Sequence, residues 1–249
     1  MPKWLRALLS GFLALLLLGS GGFVLWASNP LPAMPEALAA LQSDEQVDVR
    51  VEGNRLSFMP RSNSPNTAFI FYPGGRVDER AYAPLAHEIA AQGFLVVIVR
   101  MPLNLAVFNP NAAEAVLETY PQIQQWVVGG HSLGGSMAAN YARQNLSKVN
   151  GLILLASYPA SSADLSKKDL AVLSIYATQD RLATVEKIRA SEALLPPTTE
   201  WVAIEGGNHA QFGWYGEQPG DGLATLSRQE QHRQTLSAIV NFLQSSQPR

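Results

Sequence analysis

The sequence has no cysteine and only four histidines, at positions 87, 131, 209 and 232. The first absence excludes disulfide staples, thiolate-bound zinc, iron–sulfur clusters, a thiol nucleophile and a Cys-linked lipid anchor. The second makes a His-rich centre hard to build, and no metal site or cofactor is expected. Charge is also scarce. Asp, Glu, Lys and Arg make up 15% of the 249 residues and nearly cancel, leaving a net charge of −2. That balance lacks the basic field needed to engage phosphates, so nucleic acid is not an expected partner. The 47% hydrophobic content argues equally against a disordered chain.

The chain opens with a long apolar run. Lys3 and Arg6 precede a stretch from Ala7 to Pro35 without a charged side chain, and Ala7 to Ala27 is almost wholly apolar. As a helix rising about 1.5 Å per residue, those residues reach about 31 Å, close to the hydrocarbon thickness of a bilayer. A cleavable signal peptide is the competing reading, with Leu8 to Leu18 as its apolar core. Against cleavage, apolar character resumes after Gly21-Gly22 with Phe23-Val24-Leu25-Trp26, and no good small-x-small site precedes Asn29-Pro30. Trp26 suits an interfacial anchor. The expectation is therefore an uncleaved single-pass anchor. Positive charge ahead of the span puts Met1 in the cytoplasm and the rest of the chain on the other side, or in the secreted fraction if the segment is cut. Leu31 to Ala40 reads as a stiff Pro- and Ala-rich linker, and residues 1–36 are read as anchor or signal segment with the Pro-rich start of that linker. Residues 37–249 are read as one domain.

Within that domain Val47 to Glu52 alternates with period two, Gly53-Asn54 turns, and Arg55 to Met59 follows, the pattern of an antiparallel hairpin. Six short continuous apolar runs come next: Ala68–Tyr72, Phe94–Val99, Gln125–Gly129, Gly151–Leu155, Ala171–Tyr176 and Glu200–Ile204. Such runs belong to strands buried on both faces. Helical spacing between them, at Tyr82–Ala90, at Leu133–Asn145 and through Leu236–Leu243, predicts a doubly wound, mostly parallel α/β sheet with an antiparallel start.

Gly129-Gly130-His131-Ser132-Leu133-Gly134-Gly135 lies between one of these runs and the following helix. Gly130-x-Ser132-x-Gly134 in a strand–turn–helix setting is the nucleophile-elbow pattern: Gly130 and Gly134 admit the tight turn that raises the Ser132 hydroxyl above the sheet edge. A serine nucleophile needs a base, and the base needs an orienting acid. His131 adjoins the serine and must point elsewhere, His87 reads as a surface residue, and His232 reads as a partly buried packing residue. His209 follows a strand at the sheet's carboxyl edge, where ligands bind. Asp180 follows the preceding strand. A second contribution is expected from Tyr72-Pro73-Gly74-Gly75-Arg76, where an amide near Gly75 or Arg76, together with that of Leu133, would form an oxyanion hole. The Arg76 side chain is expected to pair with Asp78 or Glu79.

These segments resemble the α/β-hydrolase superfamily across essentially all of residues 45–246, and within it the small fold-5 family. The resemblance rests on Tyr72 to Asp78 with Ala81 to Ala86, on Val99 to Ala106, and on Asn208 to Gly216. It implies Ser132 as nucleophile, Asp180 as acid and His209 as base. It does not imply a substrate, since the fold hosts many chemistries. The expected function is hydrolysis of a small ester or related acyl compound through an acyl-enzyme. A non-catalytic binding module and a membrane-lipid hydrolase are the alternatives. Only about 14 residues separate Ala156 from Leu170, which leaves no room for a helical lid. Met101 to Leu103, Tyr158-Pro159, Phe212, Trp214 and Tyr215 are expected around an open mouth. The loop Gly216 to Gly222 carries no evident role in the sequence.

Overall fold

The computed structural model describes residues 2–62 and 64–245; Met1, the expected cytoplasmic end, lies outside them. Among the described residues eight strands run β1 (Val47–Val51), β2 (Arg55–Pro60), β3 (Thr67–Tyr72), β4 (Leu95–Val99), β5 (Gln125–His131), β6 (Gly151–Leu155), β7 (Ala171–Ala177) and β8 (Glu200–Ile204). They form one sheet in the order β1-β2-β4-β3-β5-β6-β7-β8. The β1–β2 hairpin joins β4 antiparallel, and every pairing beyond β4 is parallel. The hairpin and all six apolar runs thus become strands. The runs are continuous because helices cover both faces of the sheet.

The two-residue period of β3 sorts its side chains. Phe69 and Phe71 face one core with α3 (Ala83–Ala91), α6 (Val185–Ala190) and α7 (Arg228–Ser245). Ala68, Ile70 and Tyr72 face the other with α4 (Ala113–Thr119) and α5 (Leu133–Gln144). Each large apolar side chain so buried contributes on the order of 1.5–3 kcal/mol. Chain order reverses at β3, which lies between β4 and β5, and Tyr72 pairs with Gly130 across the β3–β5 ladder. The loops leaving β3 and β5 therefore meet at one carboxyl edge, the usual place for a ligand crevice. Between β6 and β7 the chain forms only a 3-10 turn, Ser161–Ala163, and no lid helix.

Helix α1 (Lys3–Ala27) is long and apolar enough to cross a membrane, and its large apolar side chains from Leu8 to Trp26 are exposed. The segment after it departs from the expected linker. Leu31 makes a parallel bridge with Val77, and Pro35–Ala39 forms α2, which straddles the expected boundary after Glu36 and buries Ala37. Pro35 sits in the first turn of α2, where a missing N–H costs nothing. Proline there starts a packed element instead of stiffening a free one.

Candidate active site

Ser132 follows β5 and precedes α5, with φ 53° and ψ −123°, outside the common regions for an L-residue. Such a conformation costs about 1–3 kcal/mol and persists only where the surroundings enforce it. Here they do. The Ser132 amide donates to the Leu155 carbonyl at 3.0 Å, and its own carbonyl accepts from Ser157 Oγ at 2.6 Å and from the Ser136 amide at 3.2 Å. Close approach at Gly130 and Gly134 completes the turn: a Cβ at either would lie 2.1–2.2 Å from the Tyr72 carbonyl oxygen.

Asp180 and His209, 29 positions apart, meet at the same edge. His209 Nδ1 lies 2.7 Å from Asp180 Oδ2, with both side chains almost fully buried. Asp180 Oδ1 accepts the amides of Leu182 and Ala183 at 2.7 and 2.8 Å. Since a carboxylate only accepts, Nδ1 carries the imidazole proton and Nε2 presents its lone pair. Nε2 is buried without a hydrogen-bond partner among the described residues. His209 and Ser132 line one open cavity of about 300 Å³, together with Tyr158, Leu182, Ala183 and Ser136.

The amides ahead of Ser132 are unequal. Gly74 N–H donates to the Tyr82 hydroxyl at 3.0 Å, and Arg76 N–H donates to the Asn104 carbonyl at 2.8 Å. Arg76 is thus corrected as a candidate oxyanion donor, because its hydrogen is already committed. Gly75 N–H makes no hydrogen bond among the described residues. The position a Gly75 Cβ would take is 3.1 Å from Leu133 Cδ2, so the two residues adjoin. Leu133 opens α5, where an amide has no intrahelical acceptor.

Other expectations need correction. The Arg76 guanidinium pairs with neither Asp78 nor Glu79: it donates to the Asn29 carbonyl at 2.7 Å and lies 4.3 Å over the Trp26 ring. Asp78 is taken by Arg80 and Glu79 by Arg100. His87 is partly buried at the surface: it packs edge-on against Phe58, with Nε2 3.5 Å from the exposed Asp44. Of the expected mouth residues only Tyr158 lines the cavity. Phe212 and Tyr215 are buried behind it, the Trp214 indole donates to His232 Nδ1, and Leu103 turns toward α1.

Two arrangements around the site were not anticipated. His131 is fully buried, its ring 4.4 Å from that of His209 and its Nδ1 2.9 Å from the Tyr82 hydroxyl. Burial, reinforced by the neighbouring His209, holds the His131 pKa well below the usual imidazole value. Because the Tyr82 oxygen accepts from Gly74, its own proton is free for Nδ1. One hydroxyl thereby ties the loop after β3 to the residue before Ser132. The second arrangement gives the 216–222 loop a purpose. Asp221 accepts the amides of Ala210 and Arg181, and the Gly222 carbonyl accepts from Asn208 Nδ2. That loop braces the segments carrying both Asp180 and His209. Residues 179–181 approach so closely that a Cβ on Gly222 would fall 1.9 Å from the Gln179 oxygen. Among the described residues no group of three or more acidic or histidine side chains is placed to hold a metal ion.

The model of the alpha/beta hydrolase family matches residues 68–233, two-thirds of the sequence, and the chain belongs to that family. No curated protein matches the sequence. Among solved structures the fold is similar to dienelactone hydrolase from Anabaena variabilis (14% identity, TM-score 0.61, 80% of this chain and 100% of that one). It is also similar to Est1E from Butyrivibrio proteoclasticus (13%, 0.58, 81% and 99%). The esterase domain of a Rhodothermus marinus protein is a third likeness (12%, 0.54, 66% and 90%). Membership of that family makes the chain a hydrolase, and the three structures share its fold.

Proposed function

We propose that this hydrolase cleaves small esters or related acyl compounds through an acyl-enzyme, with α1 holding it to a membrane on the non-cytoplasmic side. Ser132 Oγ attacks the acyl carbonyl while His209 Nε2 accepts its proton, and Asp180 stabilises the imidazolium through Nδ1. The amides of Gly75 and Leu133 receive the developing oxyanion. His209 then returns the proton to the leaving alkoxide. In the second half, water attacks the acyl-Ser132 carbonyl, His209 takes the water's proton, and the collapsing intermediate recovers it at Ser132 Oγ. The observation that carries this reading is the buried Asp180–His209 pair, whose unpartnered Nε2 shares a cavity with a serine held at positive φ.

A fluorophosphonate probe tests it. The full-length protein is expected to be labelled at Ser132 and nowhere else, as located by mass spectrometry, with labelling lost in Ser132→Ala. Folded protein that takes no label would favour a non-catalytic binding module with the same fold.

A second expectation concerns Tyr82. Tyr82→Phe leaves the Gly74 amide and His131 Nδ1 unpaired in a buried site, at a cost of about 1–3 kcal/mol for each group. It also frees the peptide ahead of Gly75. On a soluble ester kcat is expected to fall about tenfold with KM nearly constant, since the loosened donor acts mainly on the oxyanion. Equal kcat values for variant and parent would sink this link.

A further inference from the structure

We propose that residues 103–108, alongside α1, form a lipid-bilayer docking face joined to the loop after β3 that carries Gly75, so that the site draws an amphiphilic acyl lipid from the membrane surface. This rests on the hydrolase and anchor readings above.

The 102–108 segment leaves β4 at the same carboxyl edge as Ser132, and residues 101–113 contain no charged side chain. Val107 and Phe108 are 46% and 50% exposed, an apolar pair that water would not favour on a loop. They do not stand alone. Phe108 meets Phe23 of α1 edge-on at 6.2 Å, and Leu103 and Phe108 form one wall of a 650 Å³ groove whose other wall includes Phe12, Leu16 and Val24. Phe23 lies four residues inside the end of α1, about 6 Å along its axis. If α1 spans the bilayer with Trp26 at the interface, Phe108 lies at hydrocarbon depth beside it.

Polar contacts fix this placement and carry it to the site. Asn104 donates through Nδ2 to the carbonyl of Ala27, the last residue of α1, at 2.8 Å, while its own carbonyl accepts the Arg76 amide. Arg76 reaches back to Asn29 and Trp26, and Leu31 exchanges hydrogen bonds with the Arg76 carbonyl at 2.7 Å and the Asp78 amide at 3.0 Å. On its inner side the same segment touches the proposed oxyanion glycine: Leu105 Cδ2 is 3.5 Å from where a Gly75 Cβ would be. Arg76, at φ 56°, is therefore held between the end of the span and Gly75. A substrate with its acyl chains in the leaflet and its ester at the headgroup level would present that ester at this edge.

The absence of cysteine makes the location directly measurable. Full-length Val107→Cys carrying one environment-sensitive nitrobenzoxadiazole dye, in phosphatidylcholine vesicles, is expected to emit to the blue and to be quenched by doxyl-labelled lipid. The same dye at Asp169→Cys, an exposed position just before β7 at the opposite sheet edge, is expected to do neither. In the parallel assay Val107→Glu/Phe108→Glu should lower hydrolysis of a vesicle-borne ester by about tenfold or more while a water-soluble ester is turned over within about twofold of the parent. A dye at 107 that stays in water, or equal losses on both substrates, overturns the docking face. Protein that fails to float with vesicles overturns the anchor, and parent protein without Ser132-dependent turnover overturns the hydrolase reading. The three failures are distinct.

Discussion

Asp180→Asn is expected to lower kcat on any ester substrate by about four orders of magnitude while leaving the protein folded. The reason is which atom of the new amide can go where. Oδ1 of Asp180 accepts two backbone amides, Leu182 and Ala183, and Oδ2 faces His209 Nδ1. Turning an NH2 toward the two amides would oppose donors to donors in a site closed to water, so the asparagine oxygen must stay there. Its NH2 then faces Nδ1, which has to accept. The imidazole proton moves to Nε2, the nitrogen proposed to receive the Ser132 proton. The ring remains in place as the wrong tautomer, and the base is lost without loss of packing. Fluorophosphonate labelling should fall in parallel, KM should change little, and the urea midpoint should stay near the parental value. The nitrogen chemical shifts of His209 give an independent readout, since protonated Nδ1 and protonated Nε2 are distinguishable. Activity within tenfold of the parent would show that Asp180 does not set the tautomer, and the acid would have to be sought elsewhere.

What could be read from the sequence follows from the range of each interaction. The elbow was legible because its constraint is local: a serine with glycines two residues to either side, between a buried strand and a helix. The central strands were legible because covering both faces of a sheet leaves continuous apolar runs, and six of them appear as β3 to β8. Asp180 and His209 stood out by position, each just past the end of a run, at an edge that the parallel order turns into a crevice. What was missed depends on contacts across long stretches of chain. Arg76 has acids close by in sequence at Asp78 and Glu79, yet each acid pairs with another arginine in space, and Arg76 bonds 47 residues back to Asn29. The Tyr82–His131 contact spans 49 residues. Leu182 and Ala183, which line the cavity, are ordinary apolar residues whose amides matter more than their side chains. Helices α4 and α6 escaped notice because each is barely two turns long and buries few residues. The Pro-rich stretch misled because proline marks the start of a packed helix as readily as it stiffens a linker.

Gly134→Ala is expected to damage stability and chemistry together. The methyl group would lie 2.1 Å from the carbonyl oxygen of Tyr72 and 2.3 Å from that of Pro73, both backbone atoms. Neither can rotate away as a side chain could. Relief requires the first turn of α5 to separate from the end of β3 by nearly an ångström, and β3 is buried on both faces at the centre of the sheet. A loss of about 3 kcal/mol is expected, at the upper end of ordinary overpacking. The chemistry suffers because those two pieces carry the two proposed oxyanion donors, Leu133 on α5 and Gly75 just beyond Pro73. Moving them apart spoils a geometry that works only at hydrogen-bond distance, so kcat is expected to drop about a hundredfold under conditions where the variant is still folded. Gly53→Ala is the control: a Cβ there meets nothing within 4 Å, and both the melting temperature and kcat should match the parent. Denaturant curves and turnover measured on one preparation separate the two effects. If Gly134→Ala loses stability but keeps its rate, the pieces part without carrying the amides along, and Leu133 or Gly75 is not the donor. If it keeps both, α5 and β3 yield freely, and the glycine at 134 is not what sets the spacing of the elbow.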